Sequence, residues 1–358
     1  MHLPTNTEHG LIYRNPDSFF GYCGWPSVCK DDSGVLYAVC SGFRASHVCA
    51  FGKTVLFKSL DEGKTWSPPM VINDTWLDDR DAGIICLGGN TLLVSWFCHP
   101  TEVYFRFREQ DILPPLSDSI LNRYNTIPES GRAGGSYIRI SHDGGITWGE
   151  TIKVPVSSPH GPILRQDGSL LYLGKEMYNH DEDQPFVIAA YESRDEGKTW
   201  LHIGDIPKPE GSTWDNFHEP HAIELKDGRI LGMIRAQNLP EPPYFTIYQS
   251  FSDDGGRTWT EMTPTGVYGS PPHLMRHSSG AIILVYGRRV SPFGERALIS
   301  RDEGVTWSQE YIVFDNAPDA DLGYPASVEL SDGSVLTVYY QKCDGDNLAS
   351  LHWSRWIP

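Results

Sequence analysis

The chain is short of positive charge. Lysine and arginine number 29 against 46 aspartates and glutamates, so the formal net charge is −17 at neutral pH. A nucleic-acid partner needs a basic face opposite its phosphate backbone, and this composition excludes that class of partner. A small anionic substrate is still compatible with the net charge, because a few arginines create a local positive pocket.

Long apolar runs and paired-cysteine motifs are also lacking. No apolar stretch reaches membrane-spanning length, and the N-terminal MHLPTNTEHG has no basic-then-apolar leader pattern. The 7 cysteines match no zinc spacing, and their number is odd. We therefore expect free thiols in a cytoplasmic protein without a membrane partner, a metal or another cofactor, or in a secreted or periplasmic one if a leader has been removed.

Turn-forming residues and tryptophan are abundant, and they belong to internal repeats. The octapeptide S-x-D-x-G-x-T-W occurs five times, at 59–66, 141–148, 193–200, 252–259 and 300–307. The aspartate of such a box bonds backbone N–H groups of its own turn, and the glycine permits positive φ. Two functions are open, a turn lock or a ligand or calcium site. We favour the turn lock, because no box adds the further carboxylates that a hard cation needs.

A second repeat consists of two apolar strands around a glycine turn. It occurs six times, with the turn glycines Gly34, Gly89, Gly168, Gly228, Gly280 and Gly333. The first five hairpins are each followed by one box, so one unit has four strands. This interleaving predicts an all-β, six-bladed β-propeller as a single domain over residues 1–358, closed by an N-terminal strand, HGLIYRN, in the last blade. The spacing also predicts an insertion in blade 2, at about 99–135, that overhangs the site.

Polar residues cluster where the inner strands begin and the second strands end, which should be one mouth of the central funnel. Strand starts provide Trp25, Asp81, His160, Glu219, His221, His273 and Tyr324, and strand ends provide Arg44, His47, Glu176, Arg235, Arg288 and Arg289. Each residue also has an ordinary structural explanation, such as a satisfied histidine or a surface ion pair. Convergence from six blades on one mouth favours a functional site.

These residues resemble the sialidase (neuraminidase) family, in which Asp boxes decorate a six-bladed propeller. The resemblance covers nearly the whole chain. EPHAIELKDGRILGMIR places Glu219 and Arg235 as that family places a glutamate and an arginine, and DLGYPASVEL provides the matching Tyr324. It implies a glycosidase with Tyr324 as nucleophile and Glu219 as its base, acting on a terminal sialic acid or related acidic sugar.

The resemblance also implies an arginine clamp for the sugar carboxylate. Arg44 and Arg235 match two of its members, and Arg288, Arg289 or Arg296 supplies the blade 5 member. The chain departs from the family at Gly24-Trp25-Pro26, where an arginine is expected, and in ASHVCAFGK, where the acidic proton donor is missing. Arg80 is the candidate substitute for the arginine, and His47 or Asp81 for the proton donor.

Two other functions stay open. A lyase on uronate glycans would use arginines for the uronate and a His–Tyr pair for elimination, and His47, His160, His221 and His273 favour it. A non-catalytic, sugar-binding propeller would explain the missing acid. A lectin usually repeats its sites around the ring, whereas these candidates differ from blade to blade.

Overall fold

The computed structural model describes residues 5–113, 117–178 and 186–358. Their strands form six antiparallel sheets. The strand β1 (Thr5–Tyr13) comes first along the chain. The first three sheets contain β2 (Tyr22–Lys30), β3 (Leu36–Arg44), β4 (Lys53–Ser59) and β5 (Met70–Asn73); β6 (Arg80–Gly88), β7 (Thr91–Cys98), β8 (Gly135–Ser141) and β9 (Ile152–Val154); and β10 (Val156–Ser157), β11 (Ile163–Leu164), β12 (Leu170–Glu176), β13 (Ile188–Ser193) and β14 (Leu201–Asp205).

The remaining three sheets complete the ring. They contain β15 (Phe217–Glu224), β16 (Ile230–Gln237), β17 (Phe245–Ser252) and β18 (Thr263–Pro264); β19 (Pro272–Arg276), β20 (Ile282–Arg288), β21 (Gly294–Ser300) and β22 (Tyr311–Phe314); and β23 (Gly323–Glu329), β24 (Val335–Lys342), β25 (Ala349–Ile357) and β1. The predicted six-bladed propeller with four-stranded blades is confirmed. In blade 3, β10 and β11 both pair with β12, so its inner strand is interrupted around Pro159, Gly161 and Pro162.

The predicted N-terminal strand closes the ring. It pairs antiparallel with β25, with His9 opposite Ser354 and Gly10 opposite Trp353. The last blade thus takes its outer strand from the beginning of the chain, which covers the edge that β25 would otherwise expose.

Both repeats have the predicted geometry. Each of the six turn glycines lies between the first and second strands of its blade at positive φ. In the box of residues 193–200, Asp195 accepts hydrogen bonds from the backbone N–H (2.9 Å) and hydroxyl (2.7 Å) of Thr199, and from the hydroxyl of Ser193 (2.8 Å). The box aspartates therefore act as turn locks.

The core lies between the blades. Six clusters of buried apolar residues each join two neighbouring blades around the ring. The box tryptophans pack against these clusters, as Trp66 does between blades 6 and 1 and Trp259 between blades 3 and 4. Aligned sheets with apolar faces bury their side chains against each other, and this explains the strong apolar patterning of the inner hairpins.

The predicted insertion lies between β7 and β8. It contains α1 (Thr101–Glu109), α2 (Ser117–Asn125) and a 3-10 turn at Glu129–Gly131. Two tyrosines fasten it to the mouth of the propeller: the Tyr104 hydroxyl donates to Asp78 (2.6 Å) and the Tyr124 hydroxyl to the carbonyl oxygen of Ala50 (2.8 Å). A second 3-10 turn, Trp214–Asn216, precedes β15. None of the helices in the described ranges has the length and apolarity for a membrane span.

Candidate active site

Four blades share a local backbone distortion at the start of the inner strand. Trp25, Asp81, Glu219 and Tyr324 have φ of +54°, +50°, +44° and +52°. Each lies in a register shift between the first two strands of its blade. Positive φ is strained for residues other than glycine, and a bulge redirects a side chain. The distortion turns four different side chains toward the funnel.

These side chains line a cavity of about 260 Å³ at the mouth of the funnel. Of the residues predicted from the sequence, it contains Trp25, His47, Arg80, Asp81, Glu219, Arg235, Arg289 and Tyr324. The cavity also has lining residues that were not predicted from the sequence. They are Phe97, His99, Ser157, Ser158, Pro159, Lys175, Met177 and His218. All six blades contribute to this lining.

A tyrosine, a glutamate and an arginine form a closed hydrogen-bonded group in the cavity. The Tyr324 hydroxyl donates to Glu219 Oε1 (2.6 Å), and Arg235 Nη1 donates to Glu219 Oε2 (2.6 Å) and to the Tyr324 oxygen (3.1 Å). Burial acts to raise the pKa of Glu219, but the charge of Arg235 and the tyrosine hydrogen bond outweigh it and lower that pKa. Burial, together with the charge of Glu219, raises the pKa of Tyr324 well above its usual value. At neutral pH the pair is thus a neutral phenol bonded to a carboxylate acceptor.

Asp81 is a buried acid on another wall of the cavity. Its Oδ1 atom has no hydrogen-bond partner within the described ranges. Burial raises the pKa of Asp81 to about 7, the charge of Glu219 acts in the same direction, and Arg80 opposes both. A carboxyl group with this pKa still carries its proton in much of the population near neutral pH, which suits a proton donor.

His47 is held by a carboxylate that the sequence did not indicate. Its Nδ1 lies 2.8 Å from Asp321 Oδ1, and the Tyr22 hydroxyl donates to the same oxygen (2.9 Å). A carboxylate only accepts, so Nδ1 carries the proton and Nε2 is the free acceptor of the neutral ring. Burial lowers the pKa of His47 despite the opposing effect of Asp321. Neutral His47 is therefore better suited to accept a hydrogen bond than to donate a proton.

The prediction that Arg44 contacts substrate needs correction. Arg44 is fully buried and does not line the cavity. Its guanidinium is bound by Asp78, with one contact of 2.9 Å, and by the carbonyl oxygen of Cys49 (3.3 Å). The guanidiniums of Arg44 and Arg80 both lie near the Trp25 ring, with their central carbons 4.6 and 4.3 Å from its centroid. Both also bond to Asp78, but only Arg80 lines the cavity.

The structure also decides among the arginines of blade 5. Arg289 lines the cavity, donates to the carbonyl oxygen of Leu322 (3.0 Å) and lies 5.5 Å from the Tyr324 ring centroid. Arg288, which was also predicted to bind substrate, instead pairs with Glu310 at 3.7 Å. Arg288 is the last residue of β20, whereas Arg289 follows the strand and reaches the cavity. Arg296 donates to the carbonyl oxygen of Phe314 (2.6 Å).

Three histidines predicted for the mouth lie deeper in the channel. The ring centroids of His160, His221 and His273 are 4.6 to 5.5 Å apart, and none of the three lines the cavity. His221 lies beyond the register shift that contains Glu219 and pairs with Met233 of β16, whereas His218, before the shift, pairs with Arg235 at the cavity. Burial lowers the pKa of each histidine, to about 3 for His221. The three histidines instead line a separate cavity of about 370 Å³.

Lys175, His218 and His99 are the principal polar residues that sequence reasoning missed. Lys175 donates to the carbonyl oxygen of Phe217 (2.9 Å) and contacts His218 Nδ1 (3.1 Å), and burial lowers its pKa to about 8. The strand-end position had been assigned to its neighbour Glu176, which accepts from Tyr191 (2.5 Å). His99 comes from the predicted insertion and contacts the Tyr178 hydroxyl (2.7 Å). In the described part of the chain, no group of acidic, histidine or cysteine side chains has the arrangement of a metal site.

The comparison with known families agrees with this architecture. Residues 115–337, more than half of the chain, match the family described as a BNR repeat-like domain. The chain belongs to this family. The six-bladed ring of this BNR repeat-like protein shares its fold with solved sialidases.

Solved structures share the fold over nearly the whole chain. A protein of unknown function from Dyadobacter fermentans is 24% identical, with a TM-score of 0.77, covering 99% of this chain and all of that one. The intramolecular trans-sialidase from Ruminococcus gnavus, in complex with oseltamivir carboxylate, is 16% identical, with a TM-score of 0.67 and 97% of both chains covered. The Hadza microbial sialidase Hz136 is 17% identical, with a TM-score of 0.69, covering 98% of this chain and 68% of that one. At these identities the likeness shows the fold alone.

A further similar protein is much longer than this chain. The xyloglucanase Xgh74A of Acetivibrio thermocellus is 27% identical over 178 residues, covering 43% of this chain and 19% of the xyloglucanase. The chain thus matches about a fifth of the length of that relative.

Proposed function

We propose that this protein is a glycoside hydrolase that removes a terminal acidic sugar, with Tyr324 as nucleophile, Glu219 as its base and Asp81 as proton donor. The hydrogen-bonded group of Tyr324, Glu219 and Arg235 is the observation that carries the proposal. A tyrosine hydroxyl donating to a buried carboxylate at 2.6 Å is ready to lose its proton as it attacks. Sialidases and a xyloglucanase among the similar proteins support sugar chemistry in such a funnel.

The nucleophile explains why the substrate should be acidic. A carboxylate nucleophile would be repelled by an anionic group at the anomeric centre, whereas neutral Tyr324 is not, and tyrosine nucleophiles are the known exception among retaining glycosidases. Arg80, Arg235 and Arg289 all line the cavity, and guanidinium groups suit a planar carboxylate.

The steps follow from these positions. The Tyr324 oxygen attacks the anomeric carbon and gives its proton to Glu219, while the leaving oxygen takes the proton of Asp81. The glycosyl–tyrosine bond then breaks as water attacks the same carbon. Asp81 takes a proton from that water, and Glu219 returns its proton to the Tyr324 oxygen. The net reaction consumes one water per glycosidic bond and retains the anomeric configuration.

A substrate screen with matched variants tests the proposal. Wild-type protein is assayed on aryl glycosides of sialic acid, uronic acids and neutral sugars, beside Tyr324→Phe, Glu219→Gln and the control Tyr339→Phe. Tyr339 is equally buried in the same blade, but it bonds to Ser354 (2.9 Å) away from the cavity. We expect release of one acidic sugar by wild type and control, and a loss of about 10³-fold or more in both site variants.

Covalent labelling gives a second readout. A fluorinated glycosyl fluoride of the released sugar should leave its mass on the peptide that contains Tyr324. Wild-type activity in Tyr324→Phe, or labelling elsewhere, would overturn the assignment. Formation of an unsaturated product from uronate polymers would indicate the lyase instead, and binding without turnover would indicate a lectin. The lyase hypothesis has lost part of its support, since three of its four histidines lie outside the cavity.

A further inference from the structure

A second cavity opens beside the candidate site. It has a volume of about 340 Å³, and its aromatic lining consists of Phe20, Phe43 and Phe51, with Arg123 from α2 across from them. Phe20 is 40% exposed at its opening. Cavities of this size fall in the range that binds small molecules.

Two short chain segments join the lining of the second cavity to that of the candidate site. In the loop after β3, His47 lines the site and Phe51 lines the second cavity. Before β6, Leu77 lines the second cavity and Arg80 lines the site. Four and three residues span at most about 15 and 11 Å. The two linings therefore lie within the length of a short oligosaccharide.

The lining has the amphipathic character of a sugar-binding surface. Phe20 and Phe51 lie edge to face with centroids 6.3 Å apart, and the Arg123 guanidinium lies 5.3 Å from the Phe51 centroid. Lys53 and Asp74 form an ion pair at the rim. Aromatic faces accept the C–H face of a pyranose ring, and the charged groups around them offer donors and acceptors for its hydroxyls. A purely apolar ligand would leave those rim groups without a role.

We infer that this second cavity is a subsite for the neutral sugars that follow the cleaved residue in an oligosaccharide substrate. The inference rests on the proposed function for the location of the scissile bond. Under this inference, the loop after β3 and the insertion in blade 2 determine the length of the oligosaccharide that binds. The insertion supplies Arg123. The insertion then has a function beyond bordering the cavity with His99.

Paired substrates isolate the subsite. The kinetics of Phe20→Ala and Arg123→Ala are measured on sialyllactose and on the aryl sialoside, or on the corresponding pair for whichever acidic sugar the screen releases. The control Ile146→Ala lies at an exposed box turn at the opposite end of the blades. We expect KM for the oligosaccharide to rise about three- to tenfold in each cavity variant, as for one lost stacking contact, with no change on the aryl glycoside.

Direct binding separates this inference from the catalytic one. Saturation-transfer NMR with lactose, cellotetraose and a xyloglucan oligosaccharide is recorded on wild type and Phe20→Ala. Binding of a neutral oligosaccharide that is lost in the variant supports the subsite even if no glycoside is cleaved. Equal kinetic effects on both substrates, or no neutral oligosaccharide bound by wild type, would overturn it, and the patch would then be a candidate protein contact.

Discussion

The box turns and the mouth of the funnel use the same backbone conformation for opposite purposes. In every box the residue after the aspartate has positive φ, as Glu62, Glu196 and Glu303 do at about +60°. At the mouth, Trp25, Asp81, Glu219 and Tyr324 adopt nearly the same φ. The box repeats the same residues around the ring, and its aspartate satisfies its own turn. The mouth repeats the conformation but changes the residue in each blade.

The difference shows how to separate scaffold from site in a repeat protein. Where a strained conformation recurs with constant residues, the hydrogen bonds of the turn stabilise it locally. Where it recurs with varied polar residues, the strain must be stabilised by the rest of the fold, and such positions concentrate at functional sites. Substitutions at the mouth should therefore reduce activity, and substitutions at the boxes should reduce stability only.

Outside the Tyr324–Glu219 pair, the largest effect is expected for Asp81→Asn at the mouth. Loss of the proton donor should lower kcat/KM on an oligosaccharide about 10²- to 10³-fold, and less on an aryl glycoside with a good leaving group. Because burial raises the pKa of Asp81 to about 7, wild-type activity should fall as the pH rises through that value. The residual activity of Asp81→Asn should lack this basic limb. If the variant keeps the pH profile of the wild type, Asp81 is not the proton donor.

Arg80→Gln should have the next largest effect. Arg80 is the guanidinium beside Trp25 that lines the cavity, and loss of a charged hydrogen bond to a carboxylate corresponds to about a 10- to 100-fold rise in KM. Thermal unfolding should change little, since Arg44 still neutralises Asp78. A fall in kcat alone, with KM constant, would contradict an anion-binding role.

His221→Ala tests the level below the mouth. His221 Nδ1 accepts the backbone N–H of Leu274 (2.9 Å), and its loss leaves a buried donor unpaired, which costs about 2 kcal/mol of unfolding free energy. Because its pKa is about 3 in the fold and 6.5 when unfolded, wild-type stability should fall as the pH drops from about 6.5 toward 3. The variant should lose that part of the slope and keep its kcat. His160→Ala, which breaks no hydrogen bond among the described residues, is the comparison.

The smallest effect is expected for Asp195→Ala in a box. Three hydrogen bonds within one exposed turn are lost and are largely replaced by water, so we expect about 1 kcal/mol in a denaturant titration. Activity at a temperature well below unfolding should equal that of wild type. Loss of activity here would break the distinction between box and mouth.

The sequence was sufficient for the fold because the repeats encode local turns, and six hairpins with five boxes leave one ring that closes on β1. It also indicated all four distorted mouth residues. The prediction that Arg44 binds substrate was wrong, because the residue that pairs with Arg44 lies outside both repeats. Asp78, in the connection between blades 1 and 2, pairs with Arg44 at 2.9 Å and more loosely with Arg80 at 3.5 Å, and of these two cations only Arg80 lines the cavity.

The spacing of residues in the sequence also did not predict how deep in the channel each residue lies. His221 and Glu219 are two residues apart, but the register shift at Glu219 breaks the alternation of the strand, so the spacing does not say which of the two lies at the mouth. His99 and Asp321 escaped detection because both lie outside the inner hairpins. His99 comes from the insertion, and Asp321 reaches His47 across 274 residues of sequence. Only the closed ring brings such residues together.

The imidazoles of His160, His221 and His273 have a consequence for the channel of the ring. Their centroids are 4.6 to 5.5 Å apart, so side chains from three of the six blades touch one another below the mouth. We expect this contact to narrow the way through the ring, so that a molecule bound in the cavity leaves by the opening through which it entered. For the proposed hydrolase, the free sugar should then compete with substrate for the same space.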